Sequence, residues 1–175
     1  RIELGAVAAS GVVGINPDSS GFRFSFPTDL ALGNISLIDD SLVDVAAGGG
    51  GSIAVNAADI VLDSSSLNAG ILSGFGSEGA QAGDIELNAT NSITLANAAQ
   101  LRNSTNGQGN SGKIKIVAGS TVTFDGRDTN DRFPSGAFSR VNTGARGNSG
   151  GIDISAGSLV IRDRAQLDSS TYGIG

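Results

Sequence analysis

Cysteine, histidine, methionine and tryptophan are all missing from this chain of 175 residues, and tyrosine occurs once. Without histidine or cysteine, neither the usual nucleophile–base pairs nor nitrogen- and sulfur-ligated metal sites can be assembled. Only carboxylate, lysine or hydroxyl chemistry is left, and Lys113 and Lys115 are the only lysines. A chain without methionine does not begin at a translation start, so it is expected to be a piece of something longer. No apolar run approaches the roughly 18 residues of a membrane span. The sequence reads without a signal peptide or other targeting segment, so none is expected within it, and no membrane insertion is expected. Positive charge is scarce too: 17 acidic against 11 basic residues leave a net charge of -6, which gives no support to nucleic-acid binding. The lack of cysteine leaves the redox compartment open, since a reducing cytosol and export through a bacterial envelope are both compatible with it.

Glycine is abundant, at 27 residues, and four glycines recur in a fixed context. Gly51-Ser52-Ile53-Ala54-Val55, Gly83-Asp84-Ile85-Glu86-Leu87, Gly112-Lys113-Ile114-Lys115-Ile116 and Gly150-Gly151-Ile152-Asp153-Ile154 each place a glycine two residues before an alternating apolar pair. The steps between these glycines are 32, 29 and 38 residues, the spacing of a stacked repeat array. A second apolar stretch follows in each copy at 60–62, 93–95, 122–124 and 159–161, and a third position at Leu67, Leu101, Val141 and Leu167. The period of two gives each stretch one apolar face. Segments this short cannot bury that face alone and need neighbours above and below.

The expected fold is therefore all-β: a right-handed parallel β-helix, or solenoid, with three short strands per coil. Its interior holds Ile53, Val55, Ile85, Leu87, Ile114, Ile116, Ile152 and Ile154 from the first strands and Leu62, Leu95, Phe124 and Ile161 from the second. Lys113 and Lys115 flank the buried Ile114 and face solvent. Length variation falls between the second and third strands. Leu62 to Leu67 is five residues and Phe124 to Val141 is 17, so about eleven extra residues near 125–135 should project as an outward loop. Residues 1–32 depart from the pattern and are expected to form an irregular N-terminal coil, with Phe22, Phe24 and Phe26 on an aromatic edge strand or hairpin. Residues 33–175 carry the regular repeats, with Leu42 or Val43 as the first third-strand position. Almost no helix is expected, given the glycine content and the absence of any long window of i, i+3, i+4 apolar spacing.

Candidate sites are few. Asp125, Asp128, Asn130 and Asp131 concentrate hard oxygen ligands in the loop, as calcium would require. Their spacing fits neither an EF-hand nor a β-roll repeat, and Arg127 and Arg132 can pair the carboxylates instead. Asp163 and Asp168, with Arg162 and Arg164, offer paired carboxylates for acid–base work on a glycosidic bond, and Asp39, Asp63 and Asp163 are expected to recur on one corner. Corner aspartates also cap turns through backbone N–H groups, and the chain has little aromatic platform for a sugar. Gly48 to Gly51 lack the Lys-Ser/Thr of a phosphate-binding loop and precede a strand, so their expected role is positive φ at a tight corner. A Thr-x-Thr ice-binding ladder is approximated only at Thr121-Val122-Thr123. No cofactor and no catalysis are expected.

Several segments carry a family likeness in order: Arg1-Ile2-Glu3-Leu4-Gly5-Ala6-Val7, Asn16-Pro17, Ile35-Ser36-Leu37 leading to Val43-Asp44, and Gly48-Gly49-Gly50-Gly51-Ser52-Ile53-Ala54-Val55. Together with 107–112 and 147–151 they resemble the filamentous haemagglutinin-like proteins of two-partner secretion systems, the large cyanobacterial members most of all. The resemblance implies an extracellular or outer-membrane-associated β-helical stalk that follows the N-terminal secretion domain of an adhesin. It also implies an outer-membrane transporter as a partner, engaged through a domain outside this chain, and a surface glycan or protein as a receptor. Alternatives are a filament subunit that self-associates end to end, because a β-helix exposes strand edges at its ends, and a module that binds or cleaves polysaccharide.

Overall fold

The computed structural model describes residues 1–18 and 21–175. Among them there is no helix, and the chain winds through three parallel sheets. The first coil contains β1 (Ile2–Gly5), a hairpin of β2 (Gly14–Asp18) and β3 (Gly21–Ser25), then β4 (Ile35–Leu37) and β5 (Leu42–Asp44). The second contains β6 (Ile53–Ala57), β7 (Ile60–Asp63), β8 (Ser66–Ile71) and β9 (Gly76–Gln81). The third contains β10 (Ile85–Ala89), β11 (Ile93–Ala96), β12 (Gln100–Thr105) and β13 (Gln108–Asn110). The fourth contains β14 (Ile114–Ala118), β15 (Thr121–Asp125) and β16 (Gly136–Val141), and the fifth β17 (Ile152–Ser155), β18 (Ser158–Arg162) and β19 (Gln166–Thr171).

Strands of one kind stack in register. Ile2, Ile53, Ile85, Ile114 and Ile152 form one column of the first sheet, and Leu37, Leu62, Leu95, Phe124 and Ile161 one column of the second. Inter-coil backbone hydrogen bonds prolong the ladder past the strand ends, for example Ile53 N to Asp84 O at 2.9 Å and Ile85 N to Lys113 O at 3.0 Å. Ile53, Val55, Ile85, Leu87, Ile114, Ile116, Leu62, Leu95 and Phe124 are fully enclosed. Ile152 and Ile154 are half-buried and Ile161 is exposed, because nothing described here stacks on the outer side of the fifth coil. Lys113 and Lys115 point outward beside Ile114.

The third sheet differs from the expected register. Leu67 and Leu101 stack on Ala137, not on Val141, and Leu167 completes the column. Val141 lies four residues further along, in a separate interior column with Ile71 and Thr105. Volume explains the choice: the coil that places Phe124 in the second sheet places Ala137 in the third, so a large and a small side chain share the space that two leucines fill in the coils below. The excursion between β15 and β16 is correspondingly shorter than the eleven extra residues expected, although it occupies the expected place. In the first coil the third-strand position belongs to Val43, opposite Leu67.

The N-terminal region is also more regular than its sequence. β1 pairs with β6 as a full member of the first sheet, and the irregular part is the stretch from residue 6 to 32 that carries the β2–β3 hairpin. Phe24 and Phe26 meet edge to face at 6.1 Å and cover Gly5, where a side chain would collide with Phe26.

The recurring glycines owe their place to close approach. Gly51, Gly83, Gly112 and Gly150 do not have positive φ; among Gly48 to Gly51 only Gly50 does, at 65°. A Cβ added to Gly83 would lie 2.7 Å from the carbonyl of Gly51, one added to Gly112 would strike the carbonyl of Gly83, and one on Gly150 that of Gly112. The glycines therefore form a backbone-on-backbone column at the corner between the third and first sheets. Its inner side is sealed by Asn103, which donates to Gly83 O at 2.8 Å and accepts from Gly112 N at 3.0 Å.

Two outcomes follow for stability. Ile85→Ala and Ile114→Ala should each cost about 2 to 5 kcal/mol in denaturant unfolding. Gly112→Ala should lower the melting temperature sharply, whereas Gly49→Ala, where an added Cβ meets nothing within 4 Å, should leave it unchanged.

Candidate functional site

The outer face of the third sheet carries two adjoining grooves with chemically varied linings. Strand alternation puts Asp44, Asn68, Arg102, Phe138 and Asp168 in one row along the stack, with Ser104, Arg140 and Ser170 in the row beside it. The loop between β15 and β16 arches over one end of these rows. It encloses a groove of about 740 Å³ whose lining includes Asn97, Gln100, Arg102, Arg127, Asp128 and Phe133. A second groove of about 360 Å³, lined in part by Asp44, Asn68, Arg102, Asn106 and Asn142, continues on the other side of Arg102. The two form one trough with Arg102 at its middle.

The loop is folded against itself. Asp128 accepts the backbone N–H of Arg132 at 2.5 Å and of Phe133 at 2.7 Å, and Arg127 donates to the Arg132 carbonyl at 3.0 Å. Arg132 covers the Phe133 ring at 5.5 Å. Ion pairs tether the loop and strand end to the fifth coil: Arg162 to Asp125 at 2.6 Å, and Arg164 to Asp131, which also holds Arg127 at 2.9 Å. Each carboxylate considered for calcium is thus already engaged, and Asn130 faces the groove. Among the described residues no three metal-ligating side chains converge.

At the far wall, Arg140 stacks 4.4 Å from the Phe138 ring and pairs with Asp168 at 2.6 Å. Tyr172 and Ser170 donate to the same carboxylate. Partial burial pushes the Asp168 pKa up, but the hydrogen bonds of Ser170 and Arg140 and the charge of Arg140 outweigh it, so the carboxyl sits below its usual range. Asp125 is lowered by the hydrogen bond from Arg162, and Asp128 by the N–H groups of Phe133 and Arg132. All three move away from what a general acid needs.

The corner aspartates do not share one position. Asp39 and Asp163 stand in the left-handed turn between second and third strands, together with Asn97, whereas Asp63 ends β7 in register with Asp125. Asp63 accepts from Asn97 at 2.9 Å, and on another corner Asp59 accepts the Ser92 N–H at 3.1 Å. Both bonds link successive coils. Asp163 and Asp168 are separated by the turn into β19, and Asp168 holds Arg140, which lines the second groove. The residue that sequence reading missed is Arg102. It looks like an ordinary outward strand residue, and only the register places it between Asn68 and Phe138.

The depressed carboxylates give a pH signature. Their folded pKa values lie below the ordinary value of about 3.9 for Asp, so their contribution is full at neutral pH and is lost as pH falls through the folded values. The melting temperature should stay level down to about pH 4 and drop below it. In Arg162→Gln, which removes the main cause of the Asp125 shift, the melting temperature should be lower at neutral pH and its fall below pH 4 shallower.

Compared with models of protein families, with curated protein sequences and with solved structures, the chain matches none.

Proposed function

We propose that this chain is a structural segment of a secreted or cell-surface adhesin of the filamentous haemagglutinin type, acting as part of a β-helical stalk. The observation that supports this most is the uninterrupted in-register stacking of five strands in each of three sheets. What such a stack supplies is length, about 4.8 Å per coil, and a fixed spacing of outward side chains. The ordered likeness of 1–7, 35–44 and 48–55 to filamentous haemagglutinin-like proteins agrees with this reading. Export would then depend on an outer-membrane transporter that recognises a different domain of the same protein.

The segment is read as non-catalytic, its displaced carboxylates being held in the ionised form by hydroxyl, arginine or backbone donors. Incubation with neutral and acidic glycans should release no new reducing ends and no unsaturated sugars. For the location, antibodies raised against the chain should label intact cells that produce it. Labelling that required permeabilised cells would overturn the surface assignment.

A further inference from the structure

We propose that the Asn106–Gly107 bond, at the bend between β12 and β13, is a self-modification site that converts to aspartate and isoaspartate while the chain is folded. The proposal concerns the chemistry of this corner and does not rest on the stalk reading.

Asn106-Gly107 is the one Asn-Gly pair in the 175 residues. It lies where β12 has ended at Thr105 and β13 has yet to begin at Gln108. Asn106 is exposed, so water and hydroxide reach it. The backbone is held on either side of the bond, Asn106 N donating to Ile71 O at 2.8 Å and Gln108 N to Phe75 O at 2.9 Å. Between them, the N–H of Gly107 meets no acceptor among the described residues. The nitrogen that attacks is therefore free, and no Cβ shields it.

The fold itself requires this glycine. A Cβ at residue 107 would strike the carbonyl oxygens of Phe75 and Leu72, and Gly107 O accepts Arg146 N from the fourth coil at 3.0 Å. The coil spacing thus excludes a larger residue after Asn106, and the reactive pair is built into the corner. Asn142 takes the same place one coil on, its side chain donating to Asn106 Oδ1 at 2.8 Å. Thr143 follows it, and a stiff β-branched side chain there hinders the same attack.

Other pairs are blocked by their partners. In Asp125-Gly126, Gly126 N donates to Arg162 O at 3.3 Å while the Arg162 guanidinium binds the carboxylate. After Asn91 and Asn110, Ser92 N donates to Asp59 at 3.1 Å and Ser111 N to Asn148 O at 3.0 Å.

The reaction needs only water. Hydroxide removes the Gly107 amide proton, the nitrogen attacks Asn106 Cγ, and the Cγ–Nδ2 bond breaks as Nδ2 takes up a proton and leaves as ammonia. The cyclic imide opens when water adds to either ring carbonyl and the adjoining ring C–N bond breaks. Opening one way gives aspartate, which keeps the acceptor that Asn142 uses. The other gives isoaspartate, whose backbone runs through the former side-chain methylene. That extra atom enters a corner where Ile71, Phe75 and Arg146 hold the third coil to both neighbours, and it works against their register.

The test is peptide mapping by mass spectrometry of the folded chain aged at body temperature in mildly alkaline buffer, with isoaspartate identified by isoaspartyl methyltransferase labelling. Asn106 should convert at least about tenfold faster than Asn142, Asn110 or Asn91, and faster as pH rises. Ageing should also lower the melting temperature of the parent chain. Asn106→Gln, whose longer side chain closes the ring poorly, should melt unchanged after the same treatment. No conversion at Asn106 while the fold is intact, conversion of Asn142 at an equal rate, or the same loss of melting temperature in aged Asn106→Gln would each overturn the proposal.

Discussion

Everything in this molecule depends on how closely one coil can lie on the next. Parallel strands need backbone groups of adjacent coils within hydrogen-bonding distance around the whole circuit, and corners are where a side chain would force the coils apart. The column of Gly51, Gly83, Gly112 and Gly150 removes that obstacle at the corner from which the first sheet starts. The isoleucine two residues later can then fall into the same column in every coil. Burial of those columns supplies the favourable free energy, while the ladder accounts for backbone groups that a three-residue strand could not satisfy alone.

Much of this was legible in the sequence. Period-two apolar triplets at repeated spacing, glycine in place of helix formers, and the position of the length variation together specified three strands per coil and the outward loop. The register of the third sheet was not legible. Val141 is the only large aliphatic residue between Phe124 and Ile152, and its hydrophobicity marked it for the Leu67–Leu101 column. The column takes Ala137 because Phe124 already occupies the volume across the coil, a packing fact that pattern alone does not carry. The first strand was hidden for a similar reason: Ile2–Gly5 is regular, but 27 residues of excursion, from 6 to 32, separate it from the next element of its coil.

The candidate site was less readable still. Aspartates drew attention because carboxylates are chemically versatile, yet in the structure they serve as acceptors that join one coil to the next or clamp the β15–β16 loop. The group that stands out is an arginine whose neighbours come from strands 34 and 36 residues away in sequence. A solenoid brings such distant residues into rows with a fixed pitch even when each residue looks unremarkable in its own strand. The loop adds a wall to one such row without disturbing the ladder, as expected where an insertion leaves the coil between strands.

In-register stacking is the central claim, and the absence of cysteine makes it directly testable. Glu86 and Lys115 are outward partners on adjacent coils of the first sheet, while Val117 lies two residues further along the same strand. The pair Glu86→Cys and Lys115→Cys should therefore close a disulfide under mild oxidation, its Cα atoms being about 4.8 Å apart. The pair Glu86→Cys and Val117→Cys, offset by a further two residues, should not. Efficient cross-linking of the second pair and not the first would mean that the coils are shifted against each other, and would contradict the account.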